Sequence, residues 1–245
     1  MNIEQLLRQV KDGSSEAQFQ LGECYEKGVI VEKNLDEAER WYLAAASQNN
    51  NEAQYKYASL LQAKYGSKEK DKVYKWFLNA AENGHVLAMY NVASYLEHWI
   101  HIPDNVTQAL HWYKLAAEQG SIESAMHLSG LFESGVLIKQ DYQQSLHWLK
   151  VAAEKNNDEA AYLLANEFEK GEKIEKNEKE ALLWYERAAK LGNCYASNYL
   201  GVVYSKGLLG EKIDKIKAQQ YMDMSSEAFS ELEEKIKNDF GLNNY

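Results

Sequence analysis

The pair Ser67-x-x-Lys70 sets a hydroxyl and an amine three residues apart, a spacing that lets lysine act as base to a serine nucleophile. Its usual companions S-D-N and K-T-G are missing, and it sits in the polar run AKYGSKEKDK. The six histidines fall between His85 and His147. His98 and His101 stand three apart beside Trp99, half of a metal-ligand pattern. No Cys or third ligand follows at fixed spacing, and H-E-x-x-H does not occur. His111 and His147 each precede a Trp. On stacked helices about 10 Å apart they would share an ion only under strain. Cys24 and Cys194, 170 residues apart, read as two free thiols in a reducing compartment. There is no Gly-rich phosphate loop and no G-x-S-x-G. The expectation is therefore no enzyme, no cofactor and no metal. The competing class is a serine-type or metal-assisted enzyme, which stoichiometric zinc or turnover lost in Ser67→Ala would reveal.

The carboxylates matter more as a population. The net charge is −10 and the pI about 5.2, so the surface repels phosphate, and nucleic acid and anionic membranes are excluded as partners. The N-terminal MNIEQLLRQVKDG has no apolar core or cleavage site, and no run of 18 apolar residues occurs. A cytoplasmic, monomeric protein is expected. Hydrophobic residues make up 45%, enough for a core, and a single Pro in 245 residues predicts helix almost throughout.

These helices repeat with a period near 36. Trp41, Trp76, Trp112, Trp148 and Trp184 form one series, with Tyr221 in sixth place. Around them runs A-x-x-W-Y-x-x-A-A, as in Ala38, Trp41, Tyr42, Ala45 and Ala46, one face of a helix B. A second series, Ala17, Ala53, Ala88, Ser124, Ala160 and Ala196, marks a preceding helix A. Five residues later stands a small residue, and eight later a large one. The small residues let helices approach, and the Trp and its neighbouring aromatics fill the core. Gly28, Gly135, Gly171 and Gly207 suit a left-handed close to helix A. Asn34, Asn105, Asp141, Asn177 and Asp214 suit the N-cap of helix B.

A-x-x-x-L-G-x-x-Y-x-x-G followed by A-x-x-W-Y-x-x-A-A resembles the Sel-one-like repeat, a relative of the tetratricopeptide helix pair. Ala17, Leu21, Gly22, Tyr25, Gly28 and then Ala38 to Ala46 carry the resemblance, which covers about residues 14–226. It implies an all-α fold, a right-handed α-solenoid of about six two-helix repeats with capping helices at both ends. Helices A would line the concave side and helices B the convex side. The expected divisions are a capping half-repeat at 1–13, repeats at 14–49, 50–84, 85–120, 121–156, 157–192 and 193–226, and a capping helix and tail at 227–245. The stripe Phe229, Leu232, Ile236 and Phe240 would seal the last repeat. Two copies depart from the pattern, at Lys64 with the charged loop after it and at the loop from Trp99 to Pro103. Cysteine-rich secreted members of the family are linked to β-lactam binding, but their paired Cys are missing here.

If the tetratricopeptide register transfers, Phe19, Tyr55, Tyr90, Met126 and Tyr162 face the groove. So do Glu26, Glu97, Glu133 and Glu169 near the end of helix A. There the helix dipole opposes a negative charge, so stability does not ask for these four acids. The column before the alanine is Glu16, Glu52, Leu87, Glu123, Glu159 and Tyr195. The resulting expectation is a non-catalytic scaffold or adaptor holding a basic peptide or protein in an acidic, aromatic groove. Reversing Glu97, Glu133 and Glu169 to Lys would then abolish binding and spare helicity. The alternative is an immunity protein that masks a bacterial toxin, by analogy with relatives of the repeat.

Overall fold

The computed structural model describes residues 3–98 and 104–239, so Trp99, His101, Pro103 and Phe240 lie outside the described residues. The described chain is all-α. Helix α1 (Ile3–Lys11) comes first. The pairs follow: α2 (Ser15–Lys27) with α3 (Leu35–Ala46), α4 (Asn51–Tyr65) with α5 (Lys70–Glu82), α6 (Val86–His98) with α7 (Asn105–Glu118). Then come α8 (Ile122–Ser134) with α9 (Tyr142–Glu154), α10 (Asp158–Lys170) with α11 (Glu178–Lys190), and α12 (Cys194–Lys206) with α13 (Lys215–Asp239). The chain divides into two units, Met1–Ser121 and Ile122–Tyr245. Within each unit, every helix packs on its neighbours in sequence, so each is a length of α-solenoid.

Local signals fix the helix ends. Asn34, Asp141 and Asn177 cap α3, α9 and α11 with side-chain oxygens on backbone N–H groups, and Asp214 does the same for α13. Asn105 does not: it is already inside α7, and Asp104 precedes it in a left-handed conformation without a side-chain cap. Helices A carry caps as well, on Ser14, Asn50, Asn157 and Asn193. Each stands three residues before the helix A alanine, a column that was legible in the sequence. Gly28, Gly135, Gly171 and Gly207 are left-handed as expected, at φ of 66 to 70°.

Helix B ends by a second column, eight residues after the Trp. It holds Asn49, Gly84, Gly120, Asn156 and Gly192, all at positive φ. In the sixth copy the same place is Phe229, which resists that conformation. Helix B therefore does not stop. The separate capping helix expected from residue 227 is instead the continuation of α13, one helix of 25 residues.

The core differs from the expectation in one respect. In four copies the residue after the Trp is the most deeply buried, with Tyr42, Phe77, Tyr113 and Tyr185 at most 1% exposed; Trp41, Trp76 and Trp112 are only partly buried, while Trp148 and Trp184 are buried. The aromatic that faces helix A of its own copy is shielded on all sides. The Trp one residue before points about 100° away, and in the first three copies it is left partly open. The close approach at Gly22 serves the same tyrosine, because a Cβ there would lie 2.7 Å from the Tyr42 ring.

Candidate functional site

The aromatic groove column rests on this buried ring. Phe19 lies 5.8 Å from Tyr42, Tyr90 lies 5.6 Å from Tyr113 and Tyr162 lies 5.8 Å from Tyr185, centroid to centroid. Tyr55 meets Phe77 at 5.8 Å. Met126 takes the same place in the fourth copy, against a cavity that Leu149 also lines. All five members of the column are half-buried.

The acidic column has a role that the sequence reading missed. Tyr42 Oη donates to Glu26 Oε2 at 2.6 Å, Tyr113 Oη to Glu97 Oε2 at 2.8 Å, and Tyr185 Oη to Glu169 Oε2 at 2.6 Å. Tyr199 donates to the other oxygen of Glu169, and Lys56 reaches Glu26 at 3.4 Å. Burial first, and then the bond to Glu, holds the hydroxyls of Tyr42, Tyr113 and Tyr185 far above the ordinary phenol value of 10. Three of the four acids are thus acceptors for buried phenols, so stability does ask for them. The exchange of Glu97, Glu133 and Glu169 for Lys would therefore damage the fold as well as any groove. Glu133 differs: its copy has Leu149 where the others have an aromatic ring or Met222, and it pairs with Lys173 at 2.7 Å.

The sequence carried a signal for this pairing. Each Tyr follows its Glu by 16 residues; where the aromatic is Phe77, the helix A residue is Gln62, and where Met222 stands it is Ser205. Apart from Glu133, the acid accompanies the hydroxyl.

In the unit Ile122–Tyr245, two predicted groove columns converge. A pocket of about 410 Å³ opens between the first turns of α10 and α12 and the latter half of α13. Tyr162, Leu163, Tyr195 and Leu232 give it apolar walls, and Asp158 and Glu159 give it an acidic edge. Tyr195 lies tilted against Tyr162 at 6.3 Å and meets the edge of Phe229 at 5.7 Å, yet remains 59% exposed. Asn193, the cap of α12, donates to Asp158 at 2.9 Å. The stripe on α13 is only partly used: Phe229 is half-buried, whereas Leu232 and Ile236 stay more than two-fifths exposed.

The reactive candidates of the sequence are placed as follows. Ser67 lies in a short 3-10 turn, Gly66–Glu69, and Lys70 opens α5. Both line a cavity of about 380 Å³ with Gln62, Ser94, Tyr95 and His98. His85 is a helix cap: the Ala88 N–H donates to its Nδ1 at 3.2 Å, and its ring stacks on Tyr55 at 4.2 Å. His111 and His147 are exposed beside their Trp neighbours. Among the described residues, no group of three or more His, Cys, Asp or Glu could hold a metal ion. None of the described helices is long and apolar enough to cross a membrane.

The helix pairs, their caps and their period coincide with a known repeat. The Sel1 repeat family model matches residues 15–50, 51–85, 86–121, 122–157, 158–193 and 194–228. The chain belongs to the Sel1 repeat family. The Sel1 repeat protein from Oxalobacter formigenes is 27% identical, with a TM-score of 0.71 over 93% of this chain and 100% of that one. The protective antigen c5321 of uropathogenic Escherichia coli strains, which displays an SLR fold, is 25% identical with a TM-score of 0.80. That match covers 93% of this Sel1 repeat chain, which spans about half of the antigen, 49%. DAP3-binding cell death enhancer 1 of Rattus norvegicus is 43% identical over 49 residues, 20% of this chain and 10% of that protein.

Proposed function

We propose that this Sel1 repeat chain is a non-catalytic recognition module, an adaptor or scaffold that holds a protein partner. The pocket at Tyr162 and Tyr195 receives a peptide segment that carries apolar and basic side chains. One observation carries the reading: Tyr195 leaves most of its ring exposed inside a pocket whose other walls are Tyr162, Leu163 and Leu232. A rigid, exposed aromatic over an apolar floor is the composition of a binding hot spot. Asp158 and Glu159 at the edge favour a cationic side chain over an anionic one. In the same unit, the Tyr185–Glu169 bond braces the helix pair α10–α11 that carries Tyr162.

The test is a photo-crosslinking side chain at position 195, compared with one at exposed Lys190 on helix B. A partner should crosslink from 195 and not from 190. Tyr195→Ser should weaken its binding by about tenfold or more. Raising salt should weaken it further, since exposed charges are screened beyond about 8–10 Å. Equal crosslinking from both positions, or an unaltered affinity in Tyr195→Ser, overturns the reading. A toxin-neutralising role is the same binding act with a toxin as partner, and the identity of the crosslinked protein decides it.

A further inference from the structure

The fifth copy breaks its own pattern at one point. Seven residues after the first-named helix A column (Ala17, Ala53, Ala88, Ser124 and Ala196), the other copies carry Cys24, Leu60, Tyr95, Leu131 and Val203. The fifth carries Glu167. Thirteen residues after the same column, the first, fourth and sixth copies carry apolar Ile30, Leu137 and Leu209, whereas the fifth has Lys173. The two replacements meet: Lys173 Nζ lies 2.8 Å from Glu167 Oε1 and 2.7 Å from Glu133 Oε1. The side chain of Glu167 is 14% exposed, and its Oε2 is buried with no donor on it among the described residues. A shielded ion pair costs desolvation that a leucine would not, so packing alone does not call for one here.

Beside the pair lies a cavity of about 250 Å³, lined by Met126, Gly130, Leu149 and Leu163 together with Glu133, Glu167 and Lys173. The fourth copy makes this room by losing bulk. Leu149 stands where Tyr42, Tyr113 and Tyr185 stand in other copies, and Met126 replaces a ring. Gly130 takes the place at which Asn166 accepts the Tyr185 hydroxyl in the fifth copy. A Cβ on Gly130 would meet nothing within 4 Å. Leu163 is also a wall of the Tyr195 pocket, so the two recesses adjoin.

We propose that this cavity takes one arginine side chain of the bound partner, its stem against Met126, Leu149 and Leu163 and its guanidinium beside the Glu133 and Glu167 carboxylates. The proposal rests on the recognition reading and names the residue that the surface selects. Two carboxylates and one ammonium leave a single net negative charge, which one cation neutralises. Arginine fits better than lysine because its planar fork is more weakly hydrated and is shaped for a carboxylate. A neutral side chain of the same shape would leave the charge uncompensated.

The test labels the methyl groups of the five methionines with carbon-13 and titrates the whole chain with N-acetyl-arginine amide. Its uncharged counterpart, N-acetyl-citrulline amide, is the control. The Met126 methyl should shift and saturate with arginine and respond at least tenfold more weakly to citrulline. Glu167→Gln should lose the arginine response. Gly130→Leu, whose side chain grows into open space on a helix, should block it without lowering the melting temperature. An equal response to citrulline, a silent Met126, or an arginine response unchanged in both variants overturns the proposal. A silent Met126 beside a partner that still needs Tyr195 removes the arginine cavity and leaves the recognition surface standing. Crosslinking that does not depend on Tyr195, with the Met126 response intact, does the reverse.

Discussion

At the scale of single residues, the buried Tyr–Glu pairs are the main finding. A phenol inside a helix pair must donate its hydrogen to something, and Glu26, Glu97 and Glu169 accept it. Removing one hydroxyl leaves a part-buried carboxylate with one donor fewer. Tyr42→Phe is therefore expected to cost about 1–2 kcal/mol in urea unfolding. The pair Phe77 and Gln62 shows the combination the repeat uses without a hydroxyl, so Tyr42→Phe with Glu26→Gln should recover part of that loss. The same bonds set a pH response. Burial and then the acceptor raise the pKa of Tyr42, Tyr113 and Tyr185 in the folded chain above the unfolded value of 10. The unfolded chain therefore loses those protons first. Stability should be full below pH of about 10 and fall as pH rises beyond it, less steeply in Tyr42→Phe. Circular dichroism melts across the alkaline range check this, and a flat profile refutes it.

At the scale of elements, small residues at helix ends decide where chains turn. The sequence placed the caps Asn34, Asp141, Asn177 and Asp214 correctly because each stands just before an amphipathic run. It placed Asn105 wrongly because that residue opens the helix rather than preceding it. The long α13 follows from one residue. Phe229 occupies the column at which Asn49, Gly84, Gly120, Asn156 and Gly192 turn left-handed. Phe229→Gly is expected to end α13 near residue 229 and lower total helicity, and to strip Tyr195 of its edge contact. Amide hydrogen exchange should then be faster from residue 230 onward and unaltered in α12; continued protection through residue 236 would refute this role.

At the scale of the whole molecule, stability in stacked repeats comes from neighbours, so a local defect stays local. Tyr42→Phe should loosen amide protection in α2 and α3 and leave α11 and α12 unchanged, as read by native-state hydrogen exchange. Uniform loosening along the chain would mean that all helix pairs open as one cooperative unit. The net charge of −10 also divides at this scale. Part of it braces tyrosines, part edges the Tyr195 pocket, and part is held by Lys173.

The sequence by itself determined the fold class, the six-fold repeat and most helix ends. These depend on periodic spacing and on backbone preferences that act within a few residues. The tertiary structure decided which acids are available. The 16-residue spacing from Glu26 and Glu169 to a Tyr is visible in the sequence, but only the packing of helix B on helix A sets each hydroxyl 2.6 Å from its carboxylate. The structure also decided that Tyr162, Tyr195 and Leu232, which stand 70 residues apart at their extremes, share one pocket. The physical reason is distance: propensity and periodicity act locally, whereas hydrogen-bond partners and cavities are made by residues that only packing brings together.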